Sequence, residues 1–197
     1  MIEIYRKVAS ALIKTYDGIS PLRLPKYHNN DVKEFRVSEQ ESKTIFSHIF
    51  FTENIPFSIE VPTISKHNFS GKSSKSARFD MSIYDKETKE IKYAIELKAH
   101  NPVLEHIRRD IEKFACSDLD CIWFHTLENA NKKTYETLLN KFKVTIQSEN
   151  NKIKGKHLWD FVIVVLKQKE MYYYQLEISQ DSAFQFGTIN DFTKELV

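Results

Sequence analysis

Cysteine is scarce in this sequence, which has only Cys116 and Cys121 among its 197 residues. Two cysteines are too few for a disulfide framework, for a four-cysteine iron–sulfur cluster, or for a zinc site that is built mainly from thiolates. The seven histidines do not show the paired spacing of zinc-binding motifs either. The sequence therefore indicates a protein of a reducing compartment, in which Cys116 and Cys121 pack at the end of a helix.

Long apolar runs are also missing. The longest one is "FVIVVL" at 161–166, far short of the roughly 20 residues that a membrane-spanning helix needs. The N-terminal residues lack the apolar core of a signal peptide. With 41% hydrophobic and 28% charged residues, the chain can bury a core large enough to fold without covalent cross-links. We expect a single cytoplasmic domain over residues 1–197 that does not contact a membrane.

Acidic residues are absent from one segment of the chain. The net charge of +2 does not by itself indicate a nucleic-acid partner. Between residues 61 and 79, however, there is no Asp or Glu, while the same segment contributes four positive side chains, Lys66, Lys72, Lys75 and Arg78. Such a segment is either a solvated loop or a surface that holds a phosphate backbone. We expect the second, because of the strand that follows it.

Hydrophobic periodicity predicts a mixed α/β domain. Residues 2–16 carry a helical apolar stripe, and the capping box "SEQE" starts a second helix at Ser38 that should stop before Pro56. The remaining elements are expected in the order strand, hairpin, helix, strand, helix, strand, strand, within "FSIEV", "RFDMSIYDKETKEIKYAIELKA", "PVLEHIRRDIEKFA", "CIWF", "KKTYETLLNKF", "WDFVIVVL" and "MYYYQLEI". This order predicts a mixed sheet with helices packed on it.

The predicted hairpin concentrates charged residues on one face. If its turn is centred on Thr88, Asp80 lies opposite Glu96, and the period of two places Lys98 on the same face. Opposed Cβ atoms in an antiparallel pair are about 4.5–5.5 Å apart. The apolar residues of the hairpin should then face the other way, and they are Phe79, Met81, Ile83, Ile95 and Leu97.

Two carboxylates at this distance repel each other and are partly desolvated, unless a cation lies between them. Mg²⁺ binds through one or two carboxylates together with phosphate oxygens, and it acidifies bound water. An ammonium group such as that of Lys98 can position this water. Asp80, Glu96 and Lys98 therefore have the chemistry for phosphodiester hydrolysis. The alternative is that Glu96 and Lys98 form a surface ion pair, worth well under about 1 kcal/mol.

These residues resemble the PD-(D/E)xK nuclease superfamily, which has the restriction-endonuclease-like fold. The resemblance covers roughly residues 38–127, and it lies in "RFD" at 78–80, in "IELKA" at 95–99, and in the helices before and after them, the second of which contains "RRDIEKF". It implies an αβββαβ core at 38–127, with 1–36 as an N-terminal helical appendage and 128–197 as a helix and strands that complete the sheet. The sequence departs from the family name at Phe79, which stands where the name has proline.

The resemblance implies a Mg²⁺- or Mn²⁺-dependent DNA endonuclease of the restriction, repair or mobile-element type. Asp80 and Glu96 would bind the metal, and Lys98 would position the attacking water. Glu41, from the first core helix, would support the metal or its water shell, although it also completes the capping box. Glu39 is expected on a poorer inward face than Glu41.

Several alternatives stay open at this point. The basic residues Lys66, Lys72, Lys75 and Arg78 would hold the DNA backbone, but RNA as substrate and a homodimer are also compatible with the sequence. Arg109 and Lys113 are expected on a solvated helix face, where a phosphate contact is the other interpretation. A second hypothesis for the whole chain is a non-catalytic nucleic-acid-binding or assembly subunit on the same scaffold. A third hypothesis is an unrelated α/β interaction protein, in which the charged residues of the hairpin have no catalytic role.

Overall fold

A computed structural model describes the backbone of residues 1–24, 26–29, 32–35, 37–67, 75–180 and 188–197, and the side chains of 1–24, 37–63, 77–180 and 188–197. Within these residues the helices and strands are α1 Ile2–Tyr16, β1 Lys26–Asn29, β2 Val32–Phe35, α2 Glu39–Thr52, β3 Phe57–His67, β4 Lys75–Tyr84, β5 Ile91–Ala99, α3 Leu104–Ala115, β6 Asp120–Leu127, α4 Lys132–Glu149, β7 Lys156–Val165, β8 Glu170–Ser179 and β9 Thr193–Leu196. Short 3₁₀ helices occur at Asn150–Lys152 and Ile189–Asp191. In the part of the chain that is described, no helix combines the length and apolar character needed to cross a membrane.

Strands β3 to β9 form one seven-stranded sheet in which the spatial order is the chain order. The pairs β3–β4 and β4–β5 are antiparallel, β5–β6 and β6–β7 are parallel, and β7–β8 and β8–β9 are antiparallel. Helices α3 and α4 are the connections of the two parallel pairs. Strands β1 and β2 form a separate hairpin. The predicted mixed α/β architecture is therefore confirmed.

Helices cover both faces of the sheet. On one face α1 and α2 pack on the sheet, and the ring of Phe46 meets that of Phe124 edge to face at 4.8 Å between centroids. On the other face lie α3 and α4, where Phe142 meets Trp123 at 4.9 Å. Trp123 and Phe124 are neighbours on β6 and both are fully buried. Burial on both faces explains the continuous apolar run "CIWF", because a central strand has no solvated side.

Helix α1 belongs to the main body of the protein. Its residues share one hydrophobic cluster with α2 and the sheet. The hydroxyl of Tyr5 donates a 2.6 Å hydrogen bond to the buried carboxylate of Asp160 on β7, which also accepts hydrogen bonds from Tyr173 and Gln175. A buried carboxylate requires such donors to offset its lost hydration. The N-terminal segment that was expected to be an appendage thus contributes a helix to the core.

The hairpin has the register that a turn centred on Thr88 predicts, since Met81 pairs with Ile95 and Ile83 pairs with Tyr93. Phe79 was expected on the same face as Met81, and this prediction is wrong. The ring of Phe79 stacks on Phe114 of α3, on the opposite face of the sheet from Met81. The alternation of faces is interrupted at Asp80. On the neighbouring strand, Glu60 lies between the partners of Met81 and Phe79, and it has a left-handed backbone conformation with φ of 53°.

Candidate active site

The three residues predicted from the hairpin converge. The Lys98 Nζ lies 3.6 Å from Glu96 Oε2 and 4.0 Å from Asp80 Oδ2. Asp80 lies just beyond the last recorded pair of the β4–β5 ladder, and its Oδ2 accepts a 2.8 Å hydrogen bond from the Leu97 backbone N–H. The carboxylate of Asp80 thus takes the place of a backbone acceptor where the two strands separate. This separation makes room between the strands for charged side chains.

Helix α3 adds two charged side chains to the site, Asp110, which was not predicted, and Lys113, for which the expected solvated helix face is wrong because the residue is buried. Asp110 Oδ2 lies 3.0 Å from Lys98 Nζ, and Asp110 Oδ1 lies 2.7 Å from Lys113 Nζ. Lys113 also contacts Glu96 Oε1, and it donates a 3.0 Å hydrogen bond to the backbone carbonyl of Arg78. A signal for both was present in "RRDIEKF". Residues 110 and 113 are interleaved with Ile107, Ile111 and Phe114, which mark the buried side of the helix.

Helix α2 brings Glu39 to the cluster, whereas the carboxylate of Glu41 is used elsewhere. Glu39 Oε1 lies 3.7 Å from Lys98 Nζ, and the Glu39 side chain is 41% exposed. Glu41 Oε2 accepts a 2.7 Å hydrogen bond from the Ser38 backbone N–H and a 2.5 Å bond from its hydroxyl. The capping box is therefore formed. Glu39 was expected to point inward less well than Glu41, yet Glu39 is the acid that reaches Lys98.

Lys43, one turn further along α2, completes the cluster. Its Nζ lies 3.4 Å from Asp80 Oδ1 and also contacts the carboxylate of Glu60 on β3. Asp80 therefore pairs with Lys43, and Glu96 pairs with Lys113. Lys98 lies between these two carboxylates and contacts both.

The acids and lysines of the site shift one another's pKa values. Burial alone would lower the pKa of Lys98, but the carboxylates of Asp110 and Glu96 raise it above its ordinary value. Burial raises the pKa of Glu96 well above its ordinary value, and the negative charge of Asp110 raises it further. Burial opposes ionisation of Asp110 too, yet Lys98 and Lys113 hold its pKa below the ordinary value. Lys98 therefore stays protonated at neutral pH and acts as a hydrogen-bond donor, and of the two carboxyl groups Glu96 takes up a proton more readily than Asp110.

The cluster combines carboxylate oxygens with a net negative charge. Ion pairs connect five carboxylates with three ammonium groups, so the cluster has a formal charge of −2. Its members are Glu39, Glu60, Asp80, Glu96 and Asp110 with Lys43, Lys98 and Lys113. Among the described residues no three His, Cys, Asp or Glu side chains are grouped to hold a metal. Asp80 and Glu96 would supply two ligands, which is the number that Mg²⁺ sites with bound water and phosphate use.

Three of the four predicted phosphate-binding residues lie on the strands that lead into the site. The backbone of Lys66 and Lys75 belongs to β3 and β4, while their side chains and the whole of Lys72 lie outside the described residues. Arg78 is exposed and stands two residues before Asp80. Arg109 pairs with Glu105 on the surface of α3, as expected for a solvated helix face. Comparisons with protein-family models, with curated proteins and with solved structures find no match to this chain.

Proposed function

We propose that this protein is a Mg²⁺- or Mn²⁺-dependent nuclease that hydrolyses phosphodiester bonds, and that its substrate is DNA. The observation that carries the proposal is the convergence of Asp80 and Glu96 on one ammonium group, with both carboxylates within 4.0 Å of Lys98 Nζ. The chain order α2-β3-β4-β5-α3-β6 supports it, since this is the αβββαβ order that the resemblance to PD-(D/E)xK nucleases implies.

Each residue of the site has a role in this proposal. Asp80 and Glu96 hold the cation. A divalent cation at this position supplies Lewis-acid polarisation of the phosphate and acidifies water. Lys98 donates a hydrogen bond to the phosphate, where negative charge develops during hydrolysis, and its positive charge orients the attacking water. Its raised pKa makes it a donor of protons in hydrogen bonds rather than the general base.

The substrate backbone is held next to these residues. The acid-free segment with Lys66, Lys72, Lys75 and Arg78 leads directly along β4 to Asp80. Positive side chains that neutralise phosphates release counterions from the DNA. In a plot of the logarithm of the binding constant against the logarithm of salt concentration, each neutralised phosphate contributes a slope of about −0.9. The proposal therefore includes salt-sensitive binding with little sequence preference from these contacts.

A second candidate function is favoured by one specific observation. Lys43 and Lys113 already neutralise Asp80 and Glu96 in part, so the cluster can be a static element of a DNA-binding or assembly subunit that does not turn over substrate. Binding of DNA without cleavage distinguishes this function from the nuclease.

The first test is cleavage of supercoiled and linear DNA, and of RNA, in Mg²⁺, in Mn²⁺ and in EDTA. We expect the wild-type protein to cut in either metal and to be inactive in EDTA. Asp80→Ala and Lys98→Ala are expected to lower the rate by at least about 100-fold, because each removes a group that acts on the reacting phosphate. Equal cutting by all three proteins would indicate a contaminant and overturn the proposal. Binding without cutting by all three would favour the scaffold function.

Glu39 and Glu41 make a matched pair of acids on one helix turn. We expect Glu41→Ala to lower the free energy of unfolding by about 1 kcal/mol, since it removes half of the capping box, and to leave the cleavage rate unchanged. Glu39→Ala is expected to leave stability within about 0.5 kcal/mol of wild type and to lower the rate, because Glu39 is partly exposed and reaches Lys98. Urea denaturation and the DNA assay measure the two effects. The reverse pattern would restore Glu41 as the acid that serves the site.

A further inference from the structure

Asp110 and Lys113 of α3 form an ion pair that the roles proposed so far do not use. Both residues are 7% exposed, and their side chains meet at 2.7 Å between Asp110 Oδ1 and Lys113 Nζ. Removing two charges from water is unfavourable unless each finds several partners. Each of these groups has partners beyond the pair, and all of those partners lie on strands β4 and β5 at the candidate site.

Asp110 is the acidic residue nearest to the Lys98 ammonium group. The distance from Lys98 Nζ to Asp110 Oδ2 is 3.0 Å, which is shorter than the 3.6 Å to Glu96 and the 4.0 Å to Asp80. Lys98 also donates a 3.0 Å hydrogen bond to the carbonyl oxygen of Leu97. An ammonium group has three N–H donors. Asp110 and Leu97 engage two of them, which leaves one for the space between the two predicted metal ligands.

The position of Asp110 itself is held by Lys113. The Lys113 ammonium bonds the other oxygen of Asp110 and donates to the backbone carbonyl of Arg78, two residues before Asp80. It also contacts Glu96. Helix α3 is thereby tied to both strands of the hairpin. This fixes the distance between Asp110 and the strand that carries Lys98.

We propose that Asp110 is a positioning residue, which holds the Lys98 ammonium in place between Asp80 and Glu96 so that its remaining hydrogen is directed at the phosphodiester. This inference rests on the proposed nuclease function and deepens it. A lysine side chain has four flexible bonds and a point charge, so its direction must be imposed by partners. Without Asp110 the ammonium keeps its charge but loses its closest acidic neighbour. Misplacement of a reacting group by about 1 Å can cost about 100-fold in rate.

The kinetic test compares Asp110→Asn with Glu112→Gln on the same helix. Glu112 pairs with Lys152 at 2.7 Å and its side chain is 24% exposed, so it is a matched carboxylate whose lysine partner does not belong to the cluster. We expect Asp110→Asn to lower kcat for DNA cleavage by about 10- to 100-fold and to change KM by less than about three-fold. Glu112→Gln should change neither. A folded Asp110→Asn protein with wild-type kcat would overturn the proposal.

A double variant separates positioning from a general structural role. If Asp110 acts through Lys98, then Asp110→Asn in a Lys98→Gln protein causes no further loss, because residues that act as a unit are not additive. A further loss of the same size as in the single variant would contradict the proposal. If Asp110→Asn alone is too unstable for the assay, Asp110→Asn combined with Lys113→Gln removes one charge of each sign, and it should show the same kcat loss and the same lack of additivity.

A direct measurement does not depend on activity. In protein labelled with ¹⁵N-lysine, a buried ammonium group held by partners exchanges its protons slowly and gives an observable signal. Lys98→Arg identifies the signal of Lys98. We expect this signal to disappear in Asp110→Asn and to persist in Glu112→Gln. Persistence in both would overturn the positioning role. If wild-type protein cuts no substrate, the proposed function fails, and the behaviour of this signal still decides whether Asp110 holds Lys98.

Discussion

Glu96→Gln is expected to lower the rate of DNA cleavage by at least about 1,000-fold, which corresponds to about 4 kcal/mol of transition-state stabilisation. Glutamine has nearly the shape of glutamate but lacks the negative charge that holds a cation, and the side chain at this position is 1% exposed, so water cannot replace the lost ligand. The measurement is single-turnover cleavage in Mg²⁺ or Mn²⁺. DNA binding should stay within about three-fold of wild type, since Glu96 does not belong to the basic segment that holds the backbone.

The same substitution is expected to stabilise the protein above neutral pH. Burial raises the pKa of Glu96, and Asp110 raises it further. The folded protein therefore binds this proton more tightly than the unfolded chain does. The resulting stability is fully present below the unfolded pKa, for which 4.5 is the ordinary value, and it is lost as the pH rises through the folded pKa. The Glu96→Gln protein does not lose this stability as the pH rises, because the glutamine side chain does not titrate.

The difference between Glu96→Gln and wild type should thus be small at about pH 4 and grow towards about pH 8 in metal-free buffer. Urea denaturation across this range measures it. Glu177→Gln on β8 is the control, because Glu177 is 59% exposed and pairs only with Lys156 at the surface among its described contacts. A Glu96→Gln protein that is less stable than wild type at pH 8 would show that Glu96 is charged and well paired there. Higher stability with lost cleavage is the pattern of a site that is strained for function.

The sequence predicted the elements that are long and strongly periodic. The hairpin register followed from a period of two on either side of a polar turn, and Met81 pairs with Ile95 as that register requires. The residues Asp80, Glu96 and Lys98 were found for the same reason, because the period of a strand predicts which side chains share a face. The period did not predict the interruption at Asp80, which turns Phe79 to the other face. Strands β1, β2 and β9 have four residues each, too few for a periodic signal. They were not predicted.

The contributions of the helices to the site could not be predicted in the same way. A strand has two faces, but a helix can turn about its axis, and packing on the sheet decides which residues point inward. Glu39 and Glu41 illustrate this, since the capping box of Glu41 was readable and the inward direction of Glu39 was not. For Asp110, the charge of the residue argued against burial. The two lysines beside it make burial tolerable, and one of them, Lys98, belongs to strand β5 rather than to the helix itself.

Lys113→Met is expected to cause the largest loss of stability, about 3–5 kcal/mol at pH 7, because it breaks a buried ion pair and leaves the partner charges without compensation. The substitution keeps most of the apolar length of the side chain. It removes the ammonium group that contacts Asp110 and Glu96 and that is bonded to the Arg78 carbonyl. The pKa of Asp110 is lowered in the folded protein, so its contribution is present above its ordinary value of 3.8 and is lost as the pH falls through the folded value. In the variant, the carboxylates that lose Lys113 are buried without compensation and take up protons more readily, so the deficit should shrink as the pH falls towards about pH 4. Below the ordinary value of 3.8 the contribution of Asp110 in the wild-type protein is lost as well.

Lys152→Met is the matched control for this loss. Lys152 also bridges two carboxylates at 2.7 Å, those of Glu112 and Glu149, but its side chain is 37% exposed. Solvent screens the exposed ammonium group, and the buried Glu149 keeps Arg108 as a partner at 3.3 Å, so we expect a cost of about 0–1 kcal/mol. Equal costs for the two variants would mean that the α3 ion pair is not buried as described. Adding Glu96→Gln to Lys113→Met should recover part of the lost stability, since it removes one of the two carboxylates that compete for the remaining lysine. A recovery of this kind shows that Glu96, Asp110, Lys98 and Lys113 act as one charged unit.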